Sequence, residues 1–303
     1  MQISIITINY NSTAHTLALI ESLRTHTDPL LKYEIIIVDN ASSDAEFEKL
    51  SILKSETDIT IVRSRINNGF AAGNMLGVQH AQGDYYFFLN NDTHLLNDAT
   101  TLLYSYALSH PQSALLSAQL YHDASTRTTS FKKFPTLLNK LLGNSLVRQL
   151  TKDDFPSNKA SINKATDVGV ISGACMFFDA DVFNALGGLD TIFFLYCEEE
   201  DISERVWKSG KKVTLIPEAK VIHEEGGSTQ KRIAIRKEYY ISYTLLLNKH
   251  FDGFSASILK LLQLFKLFRR AFRSEDDREL FWFALRGTPL KESLRYQQVV
   301  KKR

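Results

Sequence analysis

The chain has 303 residues, 44% apolar and 23% charged, with a formal net charge of +2. That length gives one large domain or two modest ones with ample core, and the near-neutral balance argues against a general nucleic-acid binder. Two cysteines, Cys175 and Cys197, leave one pairing open and fit a reducing compartment; no signal-peptide pattern and no run of about 20 apolar residues is visible, so no spanning helix is expected.

Strand patterns at 3–9, 34–39, 59–63 and 85–90 alternate with helical patterns near 13–26, 43–55, 73–81 and 98–109. Repeated alternation predicts right-handed crossovers and a mostly parallel sheet. Residues 114–121 read as another strand. Residues 122–166, polar or basic and containing Pro135 and Pro156, read as an insertion. Regular structure is expected again over 167–178, then a helix over 180–185 ended by Gly187-Gly188 and a second over 200–209 ended by Gly210. Strands at 212–216 and 220–223 and a turn at Gly226-Gly227 follow, and from residue 231 the pattern is helical and basic.

Two apolar runs stop in carboxylates: Glu34-Ile35-Ile36-Ile37-Val38-Asp39, and Tyr85-Tyr86-Phe87-Phe88-Leu89 followed by Asn90-Asn91-Asp92. Short continuous apolar blocks suit strands covered on both faces, and ligands bind at the C-terminal edge of such sheets. With a third acidic cluster, Glu198-Glu199-Glu200-Asp201, these ends suggest a site for a diphosphate, a cation and a proton transfer. The first strand ends in Thr7-Ile8-Asn9-Tyr10-Asn11, without the glycine-rich turn that a dinucleotide needs, which argues against NAD. Asp39 can accept a hydrogen bond from a pyrimidine ring N–H, with Asn9 and Asn40 offering amides; equally, it can cap the next helix. The glycines of the 67–74 loop permit close backbone approach to a ligand, and Asn74 opens a helix; an ordinary turn reads the same way. Asp92 offers a hard oxygen where a diphosphate and a divalent cation could meet, or caps a helix near Leu96. The acids at 198–201 compensate the positive end of a helix and form an Asp201–Arg205 pair, or one of them takes the proton of an attacking hydroxyl.

In this order, residues 7–11, Val38 through Asp44, 67–74, Leu89 through Thr93, Ser172 through Met176, Gly187 through Asp190, 193–205 and 217–228 resemble the family 2 inverting glycosyltransferases of the GT-A fold. The resemblance is greatest to the bacterial branch that includes rhamnosyltransferases, and it covers residues 1 to about 230. It implies an α/β, Rossmann-like, mostly parallel sheet with a C-terminal helical extension. Residues 1–230 would form the glycosyltransferase domain, 1–118 its donor-binding half and 119–230 its acceptor half, with 231–303 a basic helical region. It implies a TDP- or UDP-sugar donor, with Asp39 reading the base and Thr7, Asn9, Asn68, Gly69, Asn74 and Asn91 in the donor pocket. Asp92 matches the last acid of the family's DxD metal motif, whose first acid is Asn90 here, and His223 matches a histidine that approaches from the far side. Mn²⁺ or Mg²⁺ is implied, an imidazole ligand favouring Mn²⁺. Glu199 takes the position of the family's usual aspartate base, a departure that adds a methylene, with Asp201 ranked next and Glu198 third. The acceptor implied is a hydroxyl of a lipid-linked or growing cell-surface glycan. A nucleotidyltransferase is a weaker match, because Asn9-Tyr10-Asn11 is not a glycine-rich loop with a basic residue. The alternative from another class is a non-catalytic sugar-nucleotide-binding or assembly subunit, which Asn90 and Glu199 favour.

Residues 257–273 carry Lys260, Gln263, Lys266, Arg269, Arg270 and Arg273 mostly on one stripe beside a wide apolar face. This predicts a helix lying in the cytoplasmic membrane interface, against the alternatives of packing on the catalytic domain or dimerising. Lys231, Arg232, Arg236, Lys237 and Lys301-Lys302-Arg303 add positive charge.

Overall fold

The computed structural model describes residues 1–137, 155–157, 160–224 and 233–301. Its first half runs β1 (Ile3–Asn9), α1 (Thr13–His26), β2 (Tyr33–Asp39), α2 (Asp44–Leu50), β3 (Ile59–Arg63), α3 (Gly69–Val78), β4 (Tyr85–Leu89), β5 (Thr93–Leu95), α4 (Ala99–Ser109) and β6 (Ser113–Tyr121). Then come β7 (Phe131–Lys132), β8 (Thr166–Asp167), β9 (Val170–Ile171), β10 (Cys175–Asp179), α5 (Ala180–Ala185), α6 (Glu198–Lys208) and β11 (Lys212–His223). Helices α7 (Ile233–His250), α8 (Gly253–Arg270) and α9 (Glu275–Leu285) follow.

The main sheet has the order β3-β2-β1-β4-β10-β6-β11-β5, with β8 also on β11. Pairs β1–β2, β2–β3, β1–β4 and β6–β11 are parallel, whereas β10 runs antiparallel to both its neighbours. The apolar runs are continuous because both faces are covered. Phe87 packs with Ile3, Ile5, Leu19 and Leu103 on the α1/α4 side, and Phe88 packs with Ile6, Ile36, Phe183 and Ile202 on the other. The chain order turns back between β1 and β4, so the loops after those strands face each other across a crevice, where α/β sheets place ligands.

Several boundaries differ from the sequence expectation. Helix α3 starts at Gly69, not 73, because the positive φ of Gly69 turns the chain directly into the helix while its N–H is taken by Asn67 Oδ1 at 2.8 Å. Helix α6 starts at Glu198, not 200, because left-handed Cys197 forms the N-cap and its carbonyl receives the Asp201 N–H. The two strands expected at 212–216 and 220–223 are one strand, β11, with a register irregularity between Ile216 and Lys220, where Pro217 has no N–H to pair. Residues 167–178 divide among β8, β9 and β10. Strand β5 was not expected at all. Cys175 and Cys197 are both free and buried. The Gly226-Gly227 turn, the cations Lys231, Arg232, Lys302 and Arg303, and much of the 122–166 insertion lie outside the described residues.

Candidate active site

A cavity of about 730 Å³ opens at the C-terminal ends of β1, β2 and β4. Tyr10, Asn11, Ser12, Asn40, Asn67, Gly69, Phe70, Asn74, Asn90, Asn91 and Asp92 line it, facing Phe194 and Leu195 on the opposite wall. Of the residues expected in the donor pocket, Gly69, Asn74 and Asn91 are on this surface. Thr7, Asn9, Asp39 and Asn68 do not line it; Asn9, Asp39 and Asn68 brace its surroundings, whereas Thr7 is buried with its Oγ1 unpartnered. Asn9 Nδ2 donates to Asp39 Oδ1 at 3.1 Å, and Asn68 N donates to Asn40 Oδ1 at 2.9 Å. Asn91 Nδ2 bridges to Ser12 Oγ at 2.6 Å and Thr16 Oγ1 at 3.0 Å, tying the β4 loop to α1. Asp39 is fully buried, and its Oδ2 has no hydrogen-bond partner; Arg63 Nε stands 3.4 Å away, at ion-pair distance. A buried acceptor left open one residue from Asn40 of the cavity lining is a group that a ligand N–H could satisfy.

Gly69 joins the two walls. Its φ is +76°, and a Cβ there would lie 2.0 Å from the backbone oxygen of Phe194. That same oxygen accepts from Phe70 N at 2.7 Å. Gly69→Ala is therefore expected to cost at least about 2 kcal/mol, combining left-handed strain with a backbone clash. Thermal unfolding with and without nucleotide reads it; an unchanged melting temperature would remove Gly69 from this role.

Asp92 meets His223 through strand pairing. Thr93 on β5 lies opposite His223 on β11, and Glu224 N donates to the Asp92 carbonyl at 3.1 Å. His223 Nε2 is 3.4 Å from both Asp92 Oδ1 and Asn90 Nδ2. Burial would raise the Asp92 carboxyl, but the hydrogen bond and charge of His223 outweigh it and leave it lowered, ready as an anion. Among the described residues no three His, Cys, Asp or Glu side chains could hold a metal. One carboxylate oxygen, one imidazole nitrogen and the Asn90 amide nearby instead fit a cation that takes further ligands from a diphosphate and water.

The acid cluster follows two left-handed residues, Tyr196 (φ 71°) and Cys197 (φ 69°), a strained turn that sets the start of α6. Glu199 Oε1 accepts from Lys132 Nζ at 2.9 Å, and Lys132 also pairs with Glu200. Burial pushes up the Glu199 carboxyl, yet the charge and hydrogen bond of Lys132 pull it below the ordinary glutamate value. Burial, then the Glu199 charge, raise Glu198 well above that value and Glu200 to about 7. Lys132 thus meets both Glu199 and Glu200, and its charge holds the Glu199 carboxyl down against burial. An added Cβ at Gly173 would sit 3.9 Å from both the Glu199 carboxyl carbon and the tip of Phe70, so these two side chains share Gly173 as a neighbour, while Glu199 itself does not line the cavity. Asp201, ranked second as base, is fully buried; Arg205 holds its Oδ2 at 2.7 Å, and Lys249 and His250 hold its Oδ1, both at 2.7 Å. A carboxylate so occupied fixes α6 to α7 and has no free oxygen to turn to an acceptor. Lys132 carries no motif of its own and was not foreseen.

The C-terminal region reaches this site. Leu294, Gln297 and Gln298 line the cavity beside Ala234 and Ile235. Lys301 N donates to Arg65 O at 2.8 Å, Arg65 Nε donates to Lys301 O at 3.1 Å, and Lys301 Nζ donates to Ser42 O. Helix α8 divides its apolar residues: Ala256, Leu259 and Leu267 are buried, while Leu261, Phe265 and Phe268 are exposed. No helix among the described residues is long and apolar enough to cross a membrane.

A family model for glycosyl transferase family 2 matches residues 4–187. An N-acetylglucosaminyl-diphospho-decaprenol L-rhamnosyltransferase of Mycobacterium tuberculosis (strain CDC 1551 / Oshkosh) is 31% identical over 85 residues, which is 27% of this chain and only 28% of that relative's length. Rhamnosyltransferase WbbL of Escherichia coli (strain K12) is 24% identical over 249 residues, 73% of this chain and 92% of the relative. In three dimensions, the mannosyltransferase PcManGT of Pyrobaculum calidifontis, solved with GDP-Man and Mn²⁺, superposes with a TM-score of 0.58 at 14% identity, over 96% of this chain and 81% of its own. That likeness is one of fold.

Proposed function

This chain belongs to glycosyl transferase family 2, and we propose that it is a rhamnosyltransferase-like enzyme that transfers a sugar with inversion from a TDP- or UDP-sugar to a hydroxyl of a lipid-linked or cell-surface glycan. The observation that carries the reading is the cavity between the β1/β4 crevice and the Phe194–Leu195 wall, with Asp92 on one side and Glu199 four residues along the chain from Leu195. The nucleotide base lies against the Asn40 and Asn67 end, where the open Asp39 oxygen accepts its ring N–H. Asp92 and His223, with Asn90 beside them, would hold Mn²⁺ or Mg²⁺, which would offset negative charge on a diphosphate. Glu199 accepts the proton of the attacking hydroxyl, and inversion needs no protein nucleophile. Residues 1–118 supply the donor side, 119–230 the acceptor side, and the tail after 231 adds to the donor wall. The enzyme works at the inner face of the cell membrane, with the exposed apolar side of α8 against the interface; the lipid diphosphate in the first relative's name supports that placement.

A thermal-shift panel of TDP- and UDP-sugars with and without Mn²⁺ tests the donor reading, since a binder stabilises by mass action. One donor should raise the melting temperature only with the cation. Binding without any transfer would favour the non-catalytic subunit, and no shift from any nucleotide sugar would remove the donor pocket.

A further inference from the structure

A second cavity, about 450 Å³, lies between α7 and α8, apart from the donor cavity. Tyr239, Tyr240 and Tyr243 form its α7 side, and Lys266, Arg269, Arg270 and Arg273 its cationic side. None of its lining residues is acidic. Arg270 is engaged by Asp277 at 3.1 Å, whereas Lys266, Arg269 and Arg273 have no carboxylate partner among the described residues. Cations gathered around one hollow without counter-charges repel each other, and an anion relieves that repulsion.

Two neighbours say which anion. On one side, Tyr239 stacks on Tyr243 at 6.0 Å and meets Tyr196 edge-on at 5.9 Å, and Tyr196 is two residues from Glu198. Through that ring contact the tyrosine side of the hollow meets the turn that opens α6. On the other side, Leu261, Phe265, Phe268 and Phe272 form an exposed stripe at helical spacing, extended by Phe268 against Phe281 and by exposed Trp282. Cations thus lie between an apolar surface and the tyrosines that lead to the start of α6.

We propose that this cavity binds the diphosphate of a polyprenyl-diphosphate-linked acceptor, with its lipid on the Leu261–Phe272 stripe and its sugar directed along Tyr239 to Glu199. This rests on the transferase reading above, which supplies the acceptor. Arg269 and Arg273 are positioning residues for the acceptor and touch no donor group.

The test is calorimetric titration of the full chain with farnesyl diphosphate, comparing wild type with Arg269→Gln/Arg273→Gln. Both side chains are exposed, so the fold should survive, and an unchanged nucleotide-sugar thermal shift confirms this independently of the titration. Saturable binding to wild type, weakened about tenfold or more in the double variant, is expected. Farnesol and inorganic diphosphate, each lacking one half of the probe, should bind more weakly. Several results would overturn the proposal: no saturable binding to wild type, equal binding by the variant, or inorganic diphosphate binding as tightly as the farnesyl form. So would vesicles of anionic phospholipid that displace the probe at equal lipid concentration, which would assign the cations to the bilayer surface. If nucleotide sugars give no shift while farnesyl diphosphate still binds, the donor reading fails and the anion site stands.

Discussion

Replacing Glu199 by glutamine, which keeps the side chain's shape and removes its charge, is expected to lower kcat by about 10²–10⁴-fold while the donor still binds. The reasoning is electrostatic. Three glutamates crowd one helix start, and a single lysine faces them, so the trio does not ionise evenly. Lys132 lowers the Glu199 carboxyl, while burial and then the Glu199 charge raise those of Glu198 and Glu200. Only an ionised carboxylate can take a proton from the acceptor, so activity should fall on the acid side as Glu199 protonates. Lys132→Met, which keeps bulk and removes the cation, takes away the interaction that lowers Glu199. The Glu199 carboxyl then rises, and the acid limb of the kcat–pH profile moves to higher pH. A limb that does not move would exclude both Glu199 and Glu200. A loss seen in Glu200→Gln but not in Glu199→Gln would assign the proton to Glu200.

The second large effect is expected at Asp92. Asp92→Ala should abolish the Mn²⁺-dependent part of donor stabilisation and reduce kcat by about 10²–10³-fold, the scale of losing one fixed group that stabilises transition-state charge. Asp92 carries the full negative charge on this wall, because Asn90 stands where a second acid could have been. The variant also leaves His223 without its anion at 3.4 Å. Asp92→Asn keeps the volume and isolates the charge, and His223→Ala should weaken the same cation response. Nucleotide-sugar thermal shifts titrated with Mn²⁺ read all three variants. An undiminished response in Asp92→Ala would move the cation off this residue.

The strands were legible because burial on both faces leaves a local mark. The apolar runs ending at Asp39 and Leu89 are continuous since Phe87 and Phe88 enter cores on opposite sides of the sheet. Strand β1, buried along nearly its whole length, matches its expected limits for the same reason; edge strand β3 matches through its β-branched run Ile59-Thr60-Ile61-Val62 despite exposed Thr60 and Arg63. The strand-end loops and the acid cluster were legible too, because polar residues that break an apolar run stand out. Strand β5 was not legible: Thr93-His94-Leu95 is too short to show alternation and follows residues that read as a turn.

The sequence by itself determined which residue types stand at the strand ends, and with them the family and the class of chemistry. Tertiary structure decided what each one faces. The β5–β11 register brings His223 to Asp92 across 131 positions of chain, and Lys132, in a two-residue strand, reaches Glu199 from outside every motif. Asp201 and Glu199 look alike in sequence, yet Arg205, Lys249 and His250 enclose the first and Lys132 pairs with the second. The basic tail that read as a membrane segment also closes the donor cavity through Leu294, Gln297 and Gln298. Local patterns record burial, which depends on a residue's own face. Charge pairing and cavity walls depend on which distant segment arrives opposite, and only the folded register sets that.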